Sequence, residues 1–579
     1  MSDENKTRRP YAPRMSPHQT YEEINSYVVF WGLFFSVLFA LAVGYLCLKI
    51  GQTVDAFASV SVLAMGMAVL FHRRNAFPET VHIQAIASAG TNIIGGAMFI
   101  LPALYILNIE DVSFLEMAIP IVLGGVLGVF LATVFRRYFC EEMDGVYPFP
   151  SGSAAAEVLE SDEGAKAHIM LVSGAVALVY DFVLNSIGWW QELLTTTTFH
   201  WGQVLADKYK LVFSLDNDAA LLGIGMLAMS GIIGLLSMSG VVVRVVKRAV
   251  ADLFSKGASS SGMLLRTQQD LPMTQIVFVS LLMTILFAVF FHVMCAESLT
   301  QTVIAFVLVM LFALMLSVVG ISSIAFTGNE PVSGMTIFMI IVSAVVMGGA
   351  GMAGKTGIIA ILMMAAFLCA TLAVSGNFMS ELKVAYITGA TPKKMQQWQL
   401  VSIVLAGVVS VGVVFLMHHA YGFTGEGALA APQANAMAAI VKPMMDGGDA
   451  PWPLYMAGAF FAVLLWMMKI PPLAFALGSY LPMGINTPVL VGGLISYFVS
   501  HSSDDAKVNA KRLSEGNTVA SGFVAGGAIG SLISAVLHIA GIDWFAKAWA
   551  ASPAATFAGI VAYFVLCIFL YAMAKRAVK

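Results

Sequence analysis

The sequence predicts an all-α polytopic membrane protein of about sixteen transmembrane helices, arranged in two duplicated halves with re-entrant or broken helices. Three observations predict it. Hydrophobic residues make up 59% of the chain and charged residues only 11%, where a soluble domain carries about 25% charged. Apolar runs repeatedly exceed the roughly 20 residues that a helix needs to cross a bilayer. Motifs of Pro, Gly and small polar residues interrupt those runs and recur in the same order in both halves.

The first observation sets the solvent: with a mean hydropathy of +0.85, the chain is built for a lipid bilayer. The second gives the spans in order. Stretches 27–48, 117–135, 273–296, 298–329, 356–380, 516–542 and 548–574 are the long apolar runs. Shorter or more polar stretches at 53–71, 80–107, 165–187, 219–238, 331–354, 399–416, 451–468 and 487–499 bring the series to about fifteen, and the basic segment 241–265 is a sixteenth.

Charge orients the series. Lys6, Arg8, Arg9 and Arg14 precede the first span, Arg73 and Arg74 follow the second, and Arg136 and Arg137 follow the fourth. The positive-inside rule then places the tail 1–26 in the cytoplasm. The apolar run behind it is too long for a signal-peptide core and stays as a span. A multi-pass protein of the inner (cytoplasmic) membrane is expected.

Several classes are excluded. The longest polar interval covers only about thirty residues, too few for a separate catalytic, nucleotide-binding or nucleic-acid-binding domain. Residues Gly349, Gly354, Lys355 and Thr356 have phosphate-loop spacing, but they join two apparent spans without the strand-loop-helix setting, so ATP hydrolysis is not expected. Five scattered cysteines without a C-x-x-C pair argue against zinc and structural disulfides. No metal or other cofactor is expected. A membrane-embedded lipid-modifying enzyme is a distant alternative, whose nearest support is the isolated trio Asp216, Asn217 and Asp218.

The third observation gives the organisation. The stretch from Gly51 to Asp55 resembles that from Gly328 to Val332, and Gly90, Thr91 and Asn92 resemble Gly376 and Asn377. The stretch from Pro150 to Glu157 resembles that from Pro432 to Ala439, and that from Asn217 to Gly223 resembles that from Asn486 to Gly492. The split falls near Glu297, giving an N-terminal repeat over 27–296 and a C-terminal repeat over 297–579. Duplicated halves with breaks at matching places are a carrier design, with the solute held between the repeats. Eight spans per half make the halves parallel, the reading taken here. It leaves Lys383, Lys393 and Lys394 on the outer side, unless Gly376 and Asn377 interrupt a span and Glu381 and Lys383 begin a second half-helix.

The candidate site residues lie at these breaks. Backbone that leaves a helix in hydrocarbon must line protein or a water-filled cavity, because lone N–H and C=O groups cost several kcal/mol there. Tyr147, Pro148, Phe149 and Pro150 form such a break, and a helix can start at Ser151 or Ser153, both good N-cap types. Its positive end is a ready site for a carboxylate. Gly152 lies in the same turn as a candidate contact, and Glu157, about one turn in, is the proton-coupling candidate or a partner for a substrate amine, with Glu381 the second coupling candidate; the alternative is a cytosolic amphipathic helix whose acids, Glu157, Glu160, Asp162 and Glu163, are solvated. Thr91 and Asn92, beside the Gly95 and Gly96 pair, are candidate substrate contacts in mid-span, as are Tyr147, Ser151, Ser153, Asn377, Lys383, Gln433 and Asn435. Pro432 and Pro482 mark further breaks. Asp55, Asp181 and Glu330 are ionisable groups in or beside apolar segments, where a charge costs at least about 2.5 kcal/mol and is usually paired or functional. His82, His292, His418 and His419 can shuttle protons, although His418 and His419 lie at an expected interface, where solvated histidines are commonplace.

These motifs carry a family resemblance. The run from Tyr147 to Glu157 resembles the Y-P-x-P-x-G-x-A-x-A-E block of prokaryotic members of the oligopeptide transporter (OPT) family. The run from Leu382 to Gln396 is similar to that family's L-K-x-G-Y-x-x-G-A-T-P-x-x-x-Q segment, with Ala385 in place of the glycine. Ala431, Pro432, Gln433 and Ala434 match as well, as do Leu481 and Pro482. The run from Ala520 to Gly527 also matches, with Gly527 where the family often has Glu. The resemblance implies proton-coupled symport of short oligopeptides into the cell. Symport of metal chelates, as in the yellow-stripe-like branch, is the alternative. The partners it implies are small peptides or peptide-like chelates, protons and the lipid bilayer, and no nucleic acid.

Overall fold

A computed structural model of the chain describes residues 13–51, 53, 57–144, 147, 149–160, 165–191, 193–209, 211–219, 222, 265–328, 330, 332–425, 428–446, 452–468, 475, 483–540, 542, 544, 546–550 and 552–576. These fall into two compact units, each assembled from three separated stretches of the sequence. Unit one gathers 13–160, 265–418 and 422–446; unit two gathers 165–222, 419–421 and 452–576. Among the described residues, eight helices are long and apolar enough to cross a membrane, and four shorter apolar helices accompany them. The expected span at 241–265 lies outside the described residues, apart from its last position.

Unit one contains α1 (Ser26–Ile50), α2 (Phe57–Leu70), and a broken series of α3 (Ala76–Asn92), α4 (Ile94–Met98) and α5 (Pro102–Ile106). Then follow α6 (Phe114–Arg136), which runs on into a π-turn over Arg137–Glu142, and α7 (Pro150–Glu160). After unit-two elements α8 (Ala165–Phe182) and α9 (His200–Tyr209), unit one resumes with α10 (Met273–Met294), α11 (Leu299–Thr327), α12 (Val332–Gly349), α13 (Gly354–Thr388), α14 (Pro392–Ala420) and α15 (Pro432–Met445). Local chemistry sets the boundaries. Asn25 accepts from the Val28 amide to start α1, and Ser298 accepts from that of Gln301 to start α11. Both helices stop at a left-handed glycine, Gly51 (φ 69°) and Gly328 (φ 73°), a conformation that glycine adopts without steric penalty.

The contacts at the helix ends fix directions. At one end of unit one meet the start of α1, the start of α3, the start of α14 and the end of α13. Asn25 donates to Glu79 (2.7 Å), Lys394 pairs with Glu23 (2.9 Å), and the Met15 amide donates to the Thr388 carbonyl (3.0 Å). The end of α6 joins them through Arg136 and Asp270 (2.6 Å), the latter just before α10. At the opposite end, Gln301 near the start of α11 donates to Ala350 O (3.2 Å), and Lys355 at the start of α13 pairs with Asp111 before α6. Thus α1 and α11 enter from opposite ends, α3 runs opposite to α13, and α6 runs opposite to α14. The corresponding elements are inverted, which corrects the parallel reading. The physical reason is the charge the parallel reading left stranded: Lys383 and Lys394 lie at the same end as Arg73, Arg136 and Arg266.

A second correction concerns Gly376 and Asn377. They do not interrupt a span: α13 is one unbroken helix of 35 residues, and Glu381 and Lys383 lie within it. Gly376 serves packing instead. A Cβ there would fall 2.6 Å from Ile324 Cδ1 and 3.5 Å from the Gly320 backbone of α11.

Unit two contains α8, continued by a π-turn over Val183–Ile187, then α9, α16 (Trp452–Met467), α17 (Met483–Ser500), α18 (Ala506–Ile539), α19 (Lys547–Ala550) and α20 (Pro553–Arg576). Its described strands, β1 (Leu193–Thr195) and β2 (Ser214–Asp216), pair antiparallel with Leu193 opposite Asp216. They are the small exception to an all-α architecture. Helices α8 and α18 approach to backbone contact through glycines: a Cβ on Gly530 would lie 2.6 Å from Leu178 O. Tyr180, Phe523, Tyr563 and Leu566 fill the core beside them.

Candidate functional site

Two breaks of the same construction lie in unit one. At the first, Phe149 takes a left-handed φ of 43° immediately before Pro150, which opens α7; at the second, Ala431 takes φ 35° immediately before Pro432, which opens α15. The proline disfavours the right-handed helical region for its predecessor, so the chain turns sharply and starts a helix at the proline. This moves the helix start from the expected Ser151 or Ser153 to Pro150, with Phe149 in the cap position. The Ser153 amide donates to Phe149 O (2.7 Å), and the Asn435 amide to Ala431 O (3.0 Å).

Each break docks on a helix of the other half. The Phe149 amide donates to Ala325 O at 2.9 Å, in the last turn of α11, and the Ala431 amide donates to Leu48 O at 2.9 Å, in the last turn of α1. Two positions further on, the Ser151 hydroxyl donates to Gly328 O (3.1 Å), and the Gln433 amide group donates to Gly51 O (2.9 Å). The positive N-terminal ends of α7 and α15 therefore face the negative carbonyl ends of α11 and α1, a head-to-tail arrangement of helix dipoles. Carbonyls of the protein occupy the position where the sequence suggested a substrate carboxylate.

Beyond those glycines, Thr53 and Val332 both come to Gly95. A Cβ on Gly95 would meet Thr53 Cγ2 at 3.5 Å, Val332 Cγ1 at 3.6 Å and Ala373 Cβ at 3.7 Å. Gly95 follows the interruption at Ile93 between α3 and α4. Gly96 packs against α13, its Cβ position 2.7 Å from the Ala370 Cβ.

The predicted site residues divide by what they touch. Gln433, Ser151 and Asn435, the last bonded to Ala430 O (2.8 Å), hold the breaks. Thr91 bonds its own helix at Ser88 O (2.9 Å). Gly152 lies against α13, where a Cβ would stand only 2.9 Å from Ser380 O. Lys383, buried on α13, donates to Cys140 O (3.1 Å) and pairs with Asp144 (2.6 Å) beside the Tyr386 ring, tying α13 to the loop that leads into the first break. Tyr147 is buried between Phe139 and Phe149. Asn377 and Glu381 are buried in the same unit. The side-chain amide of Asn92 is buried without a hydrogen-bond partner among the described residues. Pro148, Pro482, Asp55 and the side chain of Glu157 lie outside the described residues. In unit two, the Ala219 amide donates to Asp181 (3.1 Å), which brings together Asp181 and the trio at 216–218.

Sequence reasoning missed the ionic cluster at the first end of unit one. Glu23, fully buried, pairs with Arg266 and Lys394 and accepts from Thr391 (3.0 Å). Burial alone would raise its carboxyl, but His82, Thr391 and Lys394 outweigh that and hold it below the usual range. Flanking charges such as these read in sequence as solvated helix ends, and only the place of Arg266 beside an otherwise apolar run hinted otherwise.

A buried bundle whose helices enter from opposite ends, crossed by two proline-led half-helices, defines a polytopic membrane carrier. The profile of the OPT oligopeptide transporter protein family matches residues 23–246 and 214–538, and the chain belongs to that family. It is similar to a protein of Haemophilus influenzae described as "Putative oligopeptide transporter", 23% identical over 598 aligned positions that cover 86% of this chain and 93% of the relative. It also resembles a probable metal-nicotianamine transporter of Arabidopsis thaliana, 30% identical over 187 positions, or 29% of this chain and 25% of the relative.

Proposed function

We propose that the chain imports short oligopeptides across the inner membrane by proton-coupled alternating access, with the end that holds Glu23, Arg136 and Lys394 in the cytoplasm. The observation that carries this reading is the convergence of Thr53 and Val332 on Gly95 between the two crossed breaks, since backbone freed from helix at that depth belongs beside a polar solute or its path. Rocking one repeat against the other exchanges the crossed contacts and opens the path to one side at a time. Asn92, Tyr147, Ser153 and Asn377 are the substrate contacts in this reading; Ser151, Gln433, Asn435 and Lys383 hold the frame around them. Glu157 carries the coupled proton, with Glu381 as its relay.

Uptake of a labelled tri- or tetrapeptide into proteoliposomes tests this. An inward proton gradient drives accumulation by the wild type, and Glu157→Gln abolishes that accumulation. Gradient-independent uptake, or full activity in Glu157→Gln, would overturn the coupling scheme. Iron or nickel chelates added as competitors leave peptide uptake unchanged if peptides are the substrate class.

A further inference from the structure

Helix α3 is buried from Phe77 to Asn92, yet it is lined with polar side chains. Most are satisfied. Glu79 pairs with Arg73, and the hydroxyls of Thr80 and Ser88 bond carbonyls of their own helix at 2.9 Å each. His82 Nε2 and both amide atoms of Gln84 have no hydrogen-bond partner among the described residues, although both side chains are fully buried. The same is true of both amide atoms of Gln399 on α14.

The register of α3 and α14 brings these groups to one level. The Ser402 hydroxyl bonds Ile86 O (2.7 Å) and Ser36 Oγ of α1 (2.9 Å). Both α3 and α14 start at the first end of unit one, so one turn back from this bond places His82 on α3 and Gln399 on α14 at the same depth. The His82 Nδ1 lies 3.0 Å from Pro78 O. A carbonyl only accepts, so Nδ1 carries the proton of the neutral ring and Nε2 presents a lone pair. The charged groups close enough to act on the ring are Glu23, Lys394 and Arg266, and α14 contributes the non-titrating Gln399 at its level.

We infer that His82, with Gln399, forms a hydrated proton path leading inward from the Glu23 cluster. Buried polar groups that the protein leaves unsatisfied hold ordered water, and a chain of waters held by an amide next to a basic nitrogen conducts protons. A proton arriving from the Glu23 side adds to the Nε2 lone pair and gives an imidazolium. The imidazolium then returns the Nε2 proton to the water that Gln399 holds, and Nδ1–H stays on Pro78 O throughout. The inference rests on the proton-coupled reading above for its role in transport, but not for the existence of the path.

Two measurements separate those claims. Deuterium exchange at the imidazole C2 position, followed by mass spectrometry of the purified full chain, reports water access to each histidine. The path predicts exchange at His82 within about 3-fold of that at the exposed His72, and slower exchange in Gln399→Leu. Protection of His82 to the degree of a dry core residue, or no effect of Gln399→Leu, overturns the path. In proteoliposomes, His82→Gln and Gln399→Leu each lower gradient-driven tripeptide accumulation by about 10-fold or more, while peptide counterflow without a gradient stays near wild type. Equal gradient-driven accumulation by both variants overturns the coupling role. If the wild type shows no gradient-driven uptake while His82 exchanges freely, the proton-coupled reading fails and the path stands.

Discussion

The backbone amide of Ala431 donates to the carbonyl of Leu48 at 2.9 Å, and so the C-terminal half caps the first helix of the N-terminal half. Phe149 and Ala325 form the inverse pair at the same distance. Each proline-led helix is thus anchored on a helix remote from it in sequence, so any motion of α7 against α11, or of α15 against α1, must break or carry its anchor.

Gly51 is the tightest point of this arrangement. Its φ of 69° costs an L residue about 1–2 kcal/mol, and a Cβ would lie 2.7 Å from Pro432 Cγ. Gly51→Ala is expected to lower the thermal unfolding midpoint in detergent by several degrees. Gly334→Ala, in α12 with nothing within 4 Å of its Cβ position, leaves the midpoint unchanged or raises it.

The side chains one position into each half-helix are not equivalent in cost. Gln433→Leu strands the buried Gly51 carbonyl, a loss of about 1–3 kcal/mol. Ser151→Ala removes a partly buried bond worth about 1 kcal/mol. Chemical denaturation of both variants should rank Gln433→Leu as the more damaging.

Glu23 makes stability pH-dependent. Its folded carboxyl titrates below the ordinary value of 4.5, so its contribution is fully present above that value and is lost as pH falls through the lower folded value. Unfolding midpoints of wild type and Glu23→Gln, taken from neutral pH downward, should differ most near neutrality and converge in acid. A constant difference across that window would refute the assignment.

Lys383 is buried, while the Asp144 side chain is 40% exposed. Asp144→Asn leaves a buried cation uncompensated, whereas Lys383→Met leaves a carboxylate that water can reach. The first should therefore cost more than the second, and a double-mutant cycle should return a coupling of about 1–2 kcal/mol after allowance for solvent at Asp144.

The membrane class, the breaks at Pro150 and Pro432 and the interruption near Gly95 are legible in sequence, because proline chemistry and apolar run length act locally. The inversion is not. It depends on which helix ends meet, and only the misplaced lysines at 383, 393 and 394 signal it. Asn377 is ambiguous for a related reason: a glycine that admits a neighbouring helix and a glycine that ends its own helix look alike until Ile324 is seen against Gly376. Nothing local in the sequence marks Glu23 as buried, since burial of a helix flank is set by distant segments such as that of Arg266.

Gln433 reaches Gly51 across 382 positions of sequence. At about 5–20 residues per second on the ribosome, the first hairpin emerges about 20–80 s before the residue that caps it. During that interval the Gly51 carbonyl lacks the side-chain donor that it has in the folded chain. Biogenesis of the N-terminal half is therefore the vulnerable step, and truncations that stop before residue 432 should be degraded rather than accumulate as half-carriers.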